Sequence, residues 1–187
     1  MKDMGNIKLW LWVVFLMIIV ANGCLDEERN ALLELQADMA SLKGGNIWGG
    51  YNESGFVDCC SWPGVKCSLA TGRVIKLNHR RASLVGDGWN FNASLFLPFK
   101  SLQVLCLSAY SITGWAKIEG IDKLSHLTNL KVLDVQYSPL HPNVLSSLCW
   151  ISSLEVLKLS GMVVDSDDCK WLQLTVAADS GSDGCGW

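Results

Sequence analysis

An apolar pattern that recurs at a nearly constant interval is the feature that most restricts the fold of this chain. Large aliphatic residues occupy offsets 0, 3, 5 and 10 from starts at residues 102, 130 and 154. A weaker copy starts at Val74 and has His79 at its third apolar place, so the four starts are 28, 28 and 24 residues apart. Self-similarity with a period in this range predicts a solenoid whose stacked units share one core. The three regular copies contain Leu102, Leu105, Leu107 and Ile112; Leu130, Leu133, Val135 and Leu140; Leu154, Leu157, Leu159 and Val164.

The interval lies within the range of leucine-rich repeats, in which each unit gives one short strand to a parallel sheet on the concave face. We therefore expect an α/β solenoid with about four irregular repeats over residues 73–169. Because side chains alternate along a strand, the residues between the inward leucines face outwards. The expected ligand-facing residues are Lys76, Asn78 and Arg80; Val104, Cys106 and Ser108; Val132, Asp134 and Gln136; Val156, Lys158 and Ser160.

A cysteine-rich segment precedes the repeats, with three cysteines in the nine residues 59–67. Pro63 and Gly64 favour a turn that brings Cys60 towards Cys67. Eight cysteines without a Cys-x-x-Cys pair indicate an oxidising compartment rather than a zinc site. The first four cysteines allow three pairings, and excluding a bond between the adjacent Cys59 and Cys60 leaves two. The other cysteines stay unassigned, with Cys149 expected as a buried thiol: Cys106, Cys149, Cys169 and Cys185.

Residues 1–23 have the features of a secretory signal peptide. Lys2 and Lys8 provide the positive end, and twelve apolar residues follow at 9–20. Ala21 and Gly23 are small residues at the positions that a signal peptidase reads. The apolar run is shorter than the roughly twenty residues that a membrane-spanning helix needs, so we expect a cleaved leader and no membrane span in the rest of the chain.

An amphipathic helix is predicted directly after this leader. Asp26 can cap its first turn, where the helix dipole favours the acidic Glu27 and Glu28. Its apolar residues recur at steps of three and four and would cover the open end of the first repeat. These residues are Leu32, Leu35, Met39 and Leu42, and glycines at 44 and 45 are expected to end the helix.

Charge and motif content exclude several functions. The formal net charge is −3 and no basic stripe is present, which argues against a nucleic-acid partner. No catalytic motif surrounds any of the three histidines, and the aspartates at 165–168 depart from the calcium-loop pattern. We therefore expect neither catalysis nor a cofactor or metal. Asn52 and Asn92 begin Asn-x-Ser sequons and are candidate glycosylation sites.

Several segments together resemble plant extracellular leucine-rich-repeat proteins. The N-terminal cap of that family is similar to residues 24–33, Trp48, the Cys-Cys-x-Trp-x-Gly-Val-x-Cys run at 59–67 and Gly-Arg-Val at 72–74. Phe-Asn-Ala-Ser-Leu-Phe and Leu-Pro-Phe-Lys-Ser-Leu, together at 91–102, resemble the receptor-like proteins of plant cell surfaces.

The resemblance implies a cap at residues 24–72 and selects the disulfides Cys24–Cys59 and Cys60–Cys67. It also implies the N-terminal part of a receptor ectodomain that recognises a pathogen-derived, parasite-derived or endogenous peptide and recruits a partner receptor kinase. The chain would then be extracellular or in the cell wall, and the full-length family at the plasma membrane. The alternatives are a secreted inhibitor similar to the polygalacturonase-inhibiting proteins and a fragment with no activity of its own.

The sequence departs from the family pattern at offset 8, where an asparagine usually ties the turn after each strand to neighbouring backbone. This chain has Ala82, Tyr110, Ser138 and Met162 there, so we expect an irregular solenoid. Residues 170–187 lack the leucines of another repeat, and we interpret them as the poorly ordered tail of a truncated product. Four short strands offer a concave face on the order of 300 Å², against about 800 Å² per partner in a standard interface, so we expect weak ligand binding by the isolated chain.

Overall fold

A helix followed by five strands forms the framework of the protein. The computed structural model describes residues 10, 12, 23–40, 58–78, 89, 91–107, 122–136 and 147–159. Helix α1 spans Asp26–Ala40. The strands are β1 (Val65–Cys67), β2 (Val74–Asn78), β3 (Val104–Cys106), β4 (Val132–Asp134) and β5 (Val156–Lys158). Within these described ranges, no helix is long and apolar enough to cross a membrane.

The strands form one sheet in the order of the chain, β1-β2-β3-β4-β5. β1 pairs with β2 in antiparallel fashion, and every later pair is parallel. The parallel register aligns one leucine from each repeat, and all four of these leucines are buried. They are Leu77, Leu105, Leu133 and Leu157. The predicted solenoid with a parallel sheet is thereby confirmed.

Helix α1 covers the end of this stack, as its apolar spacing predicts. Leu32, Leu35 and Met39 are buried in the same core as the repeat leucines. The fourth predicted residue of this face, Leu42, and the glycines expected to end the helix lie outside the described residues.

Short 3-10 helices precede β3 and β4 in the chain. They span Ala93–Phe96 and Asp122–His126. Buried aromatic rings connect the first of them to the helical cap, because Phe96 stacks on Phe91 at 5.6 Å and Trp89 meets Phe91 edge-on at 5.4 Å. The indole Nε1 of Trp89 donates a 2.7 Å hydrogen bond to Asp38 of α1. The cap helix is thus hydrogen-bonded to the aromatic cluster that follows β2.

Side-chain hydrogen bonds connect successive coils at the residue just before the repeat starts at 130 and 154. Asn129 Nδ2 donates to the carbonyl of Lys100 at 2.9 Å. Ser153 Oγ bonds to the carbonyls of Leu130 at 2.9 Å and Leu127 at 3.2 Å. These bonds satisfy backbone carbonyls between coils, a role that the family pattern gives to an asparagine at offset 8. The four residues at offset 8 lie outside the described part of the chain.

Candidate ligand-binding surface

A cysteine-rich cap fixes the first edge of the sheet. Cys24 pairs with Cys59 at a Cα–Cα distance of 5.8 Å, and Cys60 pairs with Cys67 at 5.5 Å, which is the pairing that the resemblance implies. Cys67 is the last residue of β1, so its disulfide holds that strand directly. The carboxylate of Asp58 accepts hydrogen bonds from the backbone N–H of Cys24 at 3.2 Å and of Cys60 at 3.0 Å. This carboxylate therefore joins both disulfide-bonded segments.

Cys24, Asp58 and Cys59 are close enough together to suggest a metal site. The two sulfur atoms are bonded to each other, however, and disulfide sulfurs are not the thiolates that bind metal ions. The cluster is structural.

A buried carboxylate joins α1 to the sheet. Glu28 has no exposed surface, and its Oε2 accepts a hydrogen bond from the backbone N–H of Val74 at 3.1 Å. Its Oε1 lies 3.6 Å from Nη1 of Arg73, which also donates to Glu27 at 3.1 Å. Burial raises the pKa of Glu28 above its ordinary value, and the hydrogen bond and Arg73 oppose this only in part. The junction positions β2 against the cap helix.

The outward side chains of the sheet form two parallel rows. The first, which we call the lysine–valine row, contains one residue from each strand: Lys66, Lys76, Val104, Val132 and Val156. Its four members on the parallel strands β2 to β5 are partly exposed. The second, the strand-end row, lies two residues further along the parallel strands: Asn78, Cys106, Asp134 and Lys158.

Three members of the strand-end row are buried, so their side chains lack the exposed surface that the expected contact with a ligand would need. Cys106 and Asp134 are 0% exposed and Lys158 is 5% exposed. Cys106 is disulfide-bonded, and the Asp134 carboxylate accepts a hydrogen bond from the backbone N–H of Gln136 at 3.2 Å. Asp134 therefore folds over the end of its own strand, and Lys158 stands beside it in the register. Asn78 is partly buried. Strand alternation alone cannot reveal such coverage.

Cys149 also differs from its expected state. It is buried, as predicted, but it is disulfide-bonded and not a free thiol. Disulfide bonds are common among cysteines of proteins in oxidising compartments.

Of the remaining predicted site residues, two are at least partly exposed and the others lie outside the described part of the chain. Gln136 is partly exposed directly after β4. Asn92 is exposed, and its Oδ1 accepts a hydrogen bond from the backbone N–H of Ser94 at 3.1 Å, which caps the 3-10 helix that follows. Asn52, Arg80, Ser108 and Ser160 lie outside the described residues.

Charge is distributed unevenly along the lysine–valine row. Lys66 is exposed and stands directly opposite Lys76 in the antiparallel pair. Beside the valines, Lys131 and Glu155 form an ion pair at 2.7 Å. The row therefore runs from a cationic end at the cap to an apolar end with balanced charges alongside.

Comparisons with known proteins agree with this architecture. The chain is 58% identical over 186 residues to "Cuscuta receptor 1" of Solanum lycopersicum, covering 98% of this chain and 16% of that protein. It is 34% identical over 165 residues to "Receptor-like protein 9b" of Arabidopsis thaliana, covering 82% of this chain and 17% of that protein. The chain thus spans about a sixth of the length of these curated relatives.

Among solved structures, the BIR2 ectodomain from Arabidopsis thaliana is similar to this chain with a TM-score of 0.51 and 21% identity. The similarity covers 80% of this chain and 77% of that one and concerns the fold. No family model matches the sequence.

Proposed function

By sequence and fold this chain is a plant leucine-rich-repeat receptor-like protein over the stretch that it shares with its relatives, and we propose that it forms the N-terminal part of a receptor ectodomain that recognises a ligand on its concave sheet. The observation that carries the proposal is the lysine–valine row. Its side chains stand in register on five neighbouring strands and are more exposed than Cys106, Asp134 and Lys158 of the strand-end row.

The cap supports this role because it restricts the motion of the two strands at one end of the row. Two disulfides and the Glu28–Val74 hydrogen bond hold β1 and β2 in place. A surface that is rigid before binding loses less conformational entropy when a ligand arrives. Accessible apolar side chains on a rigid sheet suit recognition, and we assign no catalysis to them.

The same family relationship supports proposals for the localisation, the domain boundaries, the glycosylation sites and the partners of the protein. We propose that residues 1–23 direct the chain into the secretory pathway, that residues 24–72 are the cap and that residues 73–169 are the repeats. Asn52 and Asn92 are the proposed glycosylation sites, and Asn92 is suitably exposed. In the full-length family, the partners would be a protein or peptide ligand and a co-receptor kinase at the plasma membrane.

A peptide selection tests the proposal. The secreted chain is immobilised and a phage library of random peptides is panned on it, since multivalent display retains weak binders. Peptides that bind the native chain should fail to bind Val132→Arg, which puts a long charged side chain in the middle of the row. Thr128→Arg is the matched control, because Thr128 is exposed and outside the row.

Circular dichroism of both variants checks that they are folded, and Val104→Arg repeats the test on a neighbouring strand. If every selected peptide binds Val132→Arg and Val104→Arg as well as the native chain, the row is not the recognition surface.

A further inference from the structure

We infer that the ligand segment bound by the lysine–valine row is an extended peptide with an acidic side chain at one end and small apolar side chains along the rest. Its acidic end would lie over β1 and β2, and its apolar part over β3, β4 and β5. The inference rests on the proposed function and specifies the chemistry of the ligand.

The cationic end of the row is the first reason. Lys66 and Lys76 are direct partners in the antiparallel register. Side chains in such positions have Cβ atoms about 4.5–5.5 Å apart, and like charges there destabilise the pair. Among the described residues, no carboxylate forms an ion pair with the exposed Lys66. A carboxylate of the ligand placed beside the exposed Lys66 ammonium group would form an ion pair with it, at a place where the side chain opposite is also a lysine.

The apolar end of the row is the second reason. Val104, Val132 and Val156 are aligned on three adjacent strands and only partly buried. Their methyl groups provide no hydrogen-bonding atoms, so they favour apolar ligand groups and disfavour polar groups that would lose their water. The acidic and apolar requirements therefore apply to different parts of one ligand.

The charges beside the row determine the orientation. Lys131 and Glu155, which adjoin Val132 and Val156 in the chain, neutralise each other at 2.7 Å. An acidic group over β4 or β5 would meet Glu155 as well as Lys131, whereas over β1 and β2 it meets the two lysines of the row. The acidic end of the ligand is thus expected at the cap.

The length of the row sets the size of the segment. Five strands at about 4.8 Å spacing give a row about 19 Å long, which an extended peptide of about six residues spans. Alternate side chains of that peptide would face the sheet. An anionic polysaccharide satisfies the lysines but brings hydroxyl groups over the valines, so the row favours a peptide.

The composition of the selected peptides tests this inference. Peptides whose binding depends on Val132 should be enriched in an aspartate or glutamate next to valine-like residues. Selection on the double variant Lys66→Glu, Lys76→Glu should enrich lysine or arginine at that position instead. Lys100→Glu is the matched control, since Lys100 is exposed and outside the row, and it should leave the acidic preference unchanged.

One selected peptide, synthesised and titrated against each protein, gives the magnitude. We expect the double variant to bind it about three- to tenfold more weakly, as suits the loss of one or two exposed ion pairs, and Lys100→Glu to bind it like the native chain. Selection on Lys66→Glu alone checks that any loss does not come from changing the partly buried Lys76.

The possible outcomes separate the two proposals. The inference would be overturned if the Val132-dependent peptides showed no preference for acidic residues, or if the lysine variants left that preference unchanged. Either result would leave the proposed function standing. Acidic peptides without apolar residues, displaced by a galacturonate polymer, would also overturn it and indicate a polyanion as the ligand. The absence of any Val132-dependent peptide would contradict both proposals.

Discussion

Glu28 in the first turns of α1 accepts a hydrogen bond from the backbone N–H of Val74, the first residue of β2, across 46 positions of sequence. The carboxylate thus provides the hydrogen-bond acceptor for this amide at the start of β2. Because the side chain is fully buried, its truncation would leave a buried donor without an acceptor. We expect Glu28→Ala to lower the free energy of unfolding by about 1–3 kcal/mol, measured by urea denaturation. Glu34→Ala, at an exposed position of the same helix, should change it little.

The same carboxylate should make the stability of the cap depend on pH. Its pKa is raised in the folded state, so the folded chain binds this proton more tightly than the unfolded chain does. The associated stabilisation is fully present below the ordinary glutamate pKa of about 4.3 and is lost as the pH rises through the folded value. Glu28→Gln cannot titrate and should lack this component. The free energy of unfolding of both proteins is measured between pH 4 and pH 7, roughly the range above the ordinary pKa. If the two values change in parallel with pH, the raised pKa of Glu28 does not contribute to stability.

The sequence predicted a helix that starts at Asp26 and has an acidic first turn, but it assigned Glu28 only to the helix dipole. The hydrogen bond to Val74 was hidden because it depends on how the helix lies against the sheet, which no local pattern encodes. The leucine spacing, in contrast, predicted the strands and their inward residues because the same offsets recur in each unit. For the outward residues, alternation specifies only a direction and does not reveal that the Asp134 carboxylate accepts a hydrogen bond from the backbone N–H of Gln136.

The two disulfides should differ in their contribution to stability. Cys24–Cys59 closes a separation of 35 residues and Cys60–Cys67 one of 7. On the chain-entropy model these loops correspond to about 3.8 and about 2.4 kcal/mol. Replacing the first pair by serines should therefore lower the unfolding free energy more than replacing the second. Peptide mapping without reduction checks the pairing, and a peptide joining Cys24 to Cys67 would contradict it.

Ser153 provides a test of the bonds between coils. Its hydroxyl reaches two carbonyls of the preceding coil, so Ser153→Ala should lower the unfolding free energy by about 1 kcal/mol. Ser152 is the matched control, because it is the same residue type one position earlier and is exposed. Thermal unfolding of the two alanine variants compares them directly. Equal unfolding temperatures would show that these hydrogen bonds add nothing beyond the water contacts that they replace.

Asp58 leads to a prediction about the start of the mature chain. Its carboxylate lies 3.2 Å from the backbone nitrogen of Cys24, the first residue after the proposed leader. Cleavage after Gly23 would turn that nitrogen into an ammonium group, and the hydrogen bond would then join opposite charges and become stronger. We expect N-terminal sequencing of the secreted chain to begin at Cys24.

The charge of the new terminus provides the second measurement. The carboxylate should hold the Cys24 ammonium group in an ion pair, so an amine-reactive label should modify that group more slowly in the native chain than in Asp58→Asn. Asp26→Asn is a suitable control, since Asp26 is exposed and also lies close to Cys24 in sequence. A mature chain that begins upstream of Gly23, or a labelling rate that Asp58→Asn leaves unchanged, would show that Asp58 serves only the backbone amides of the cap.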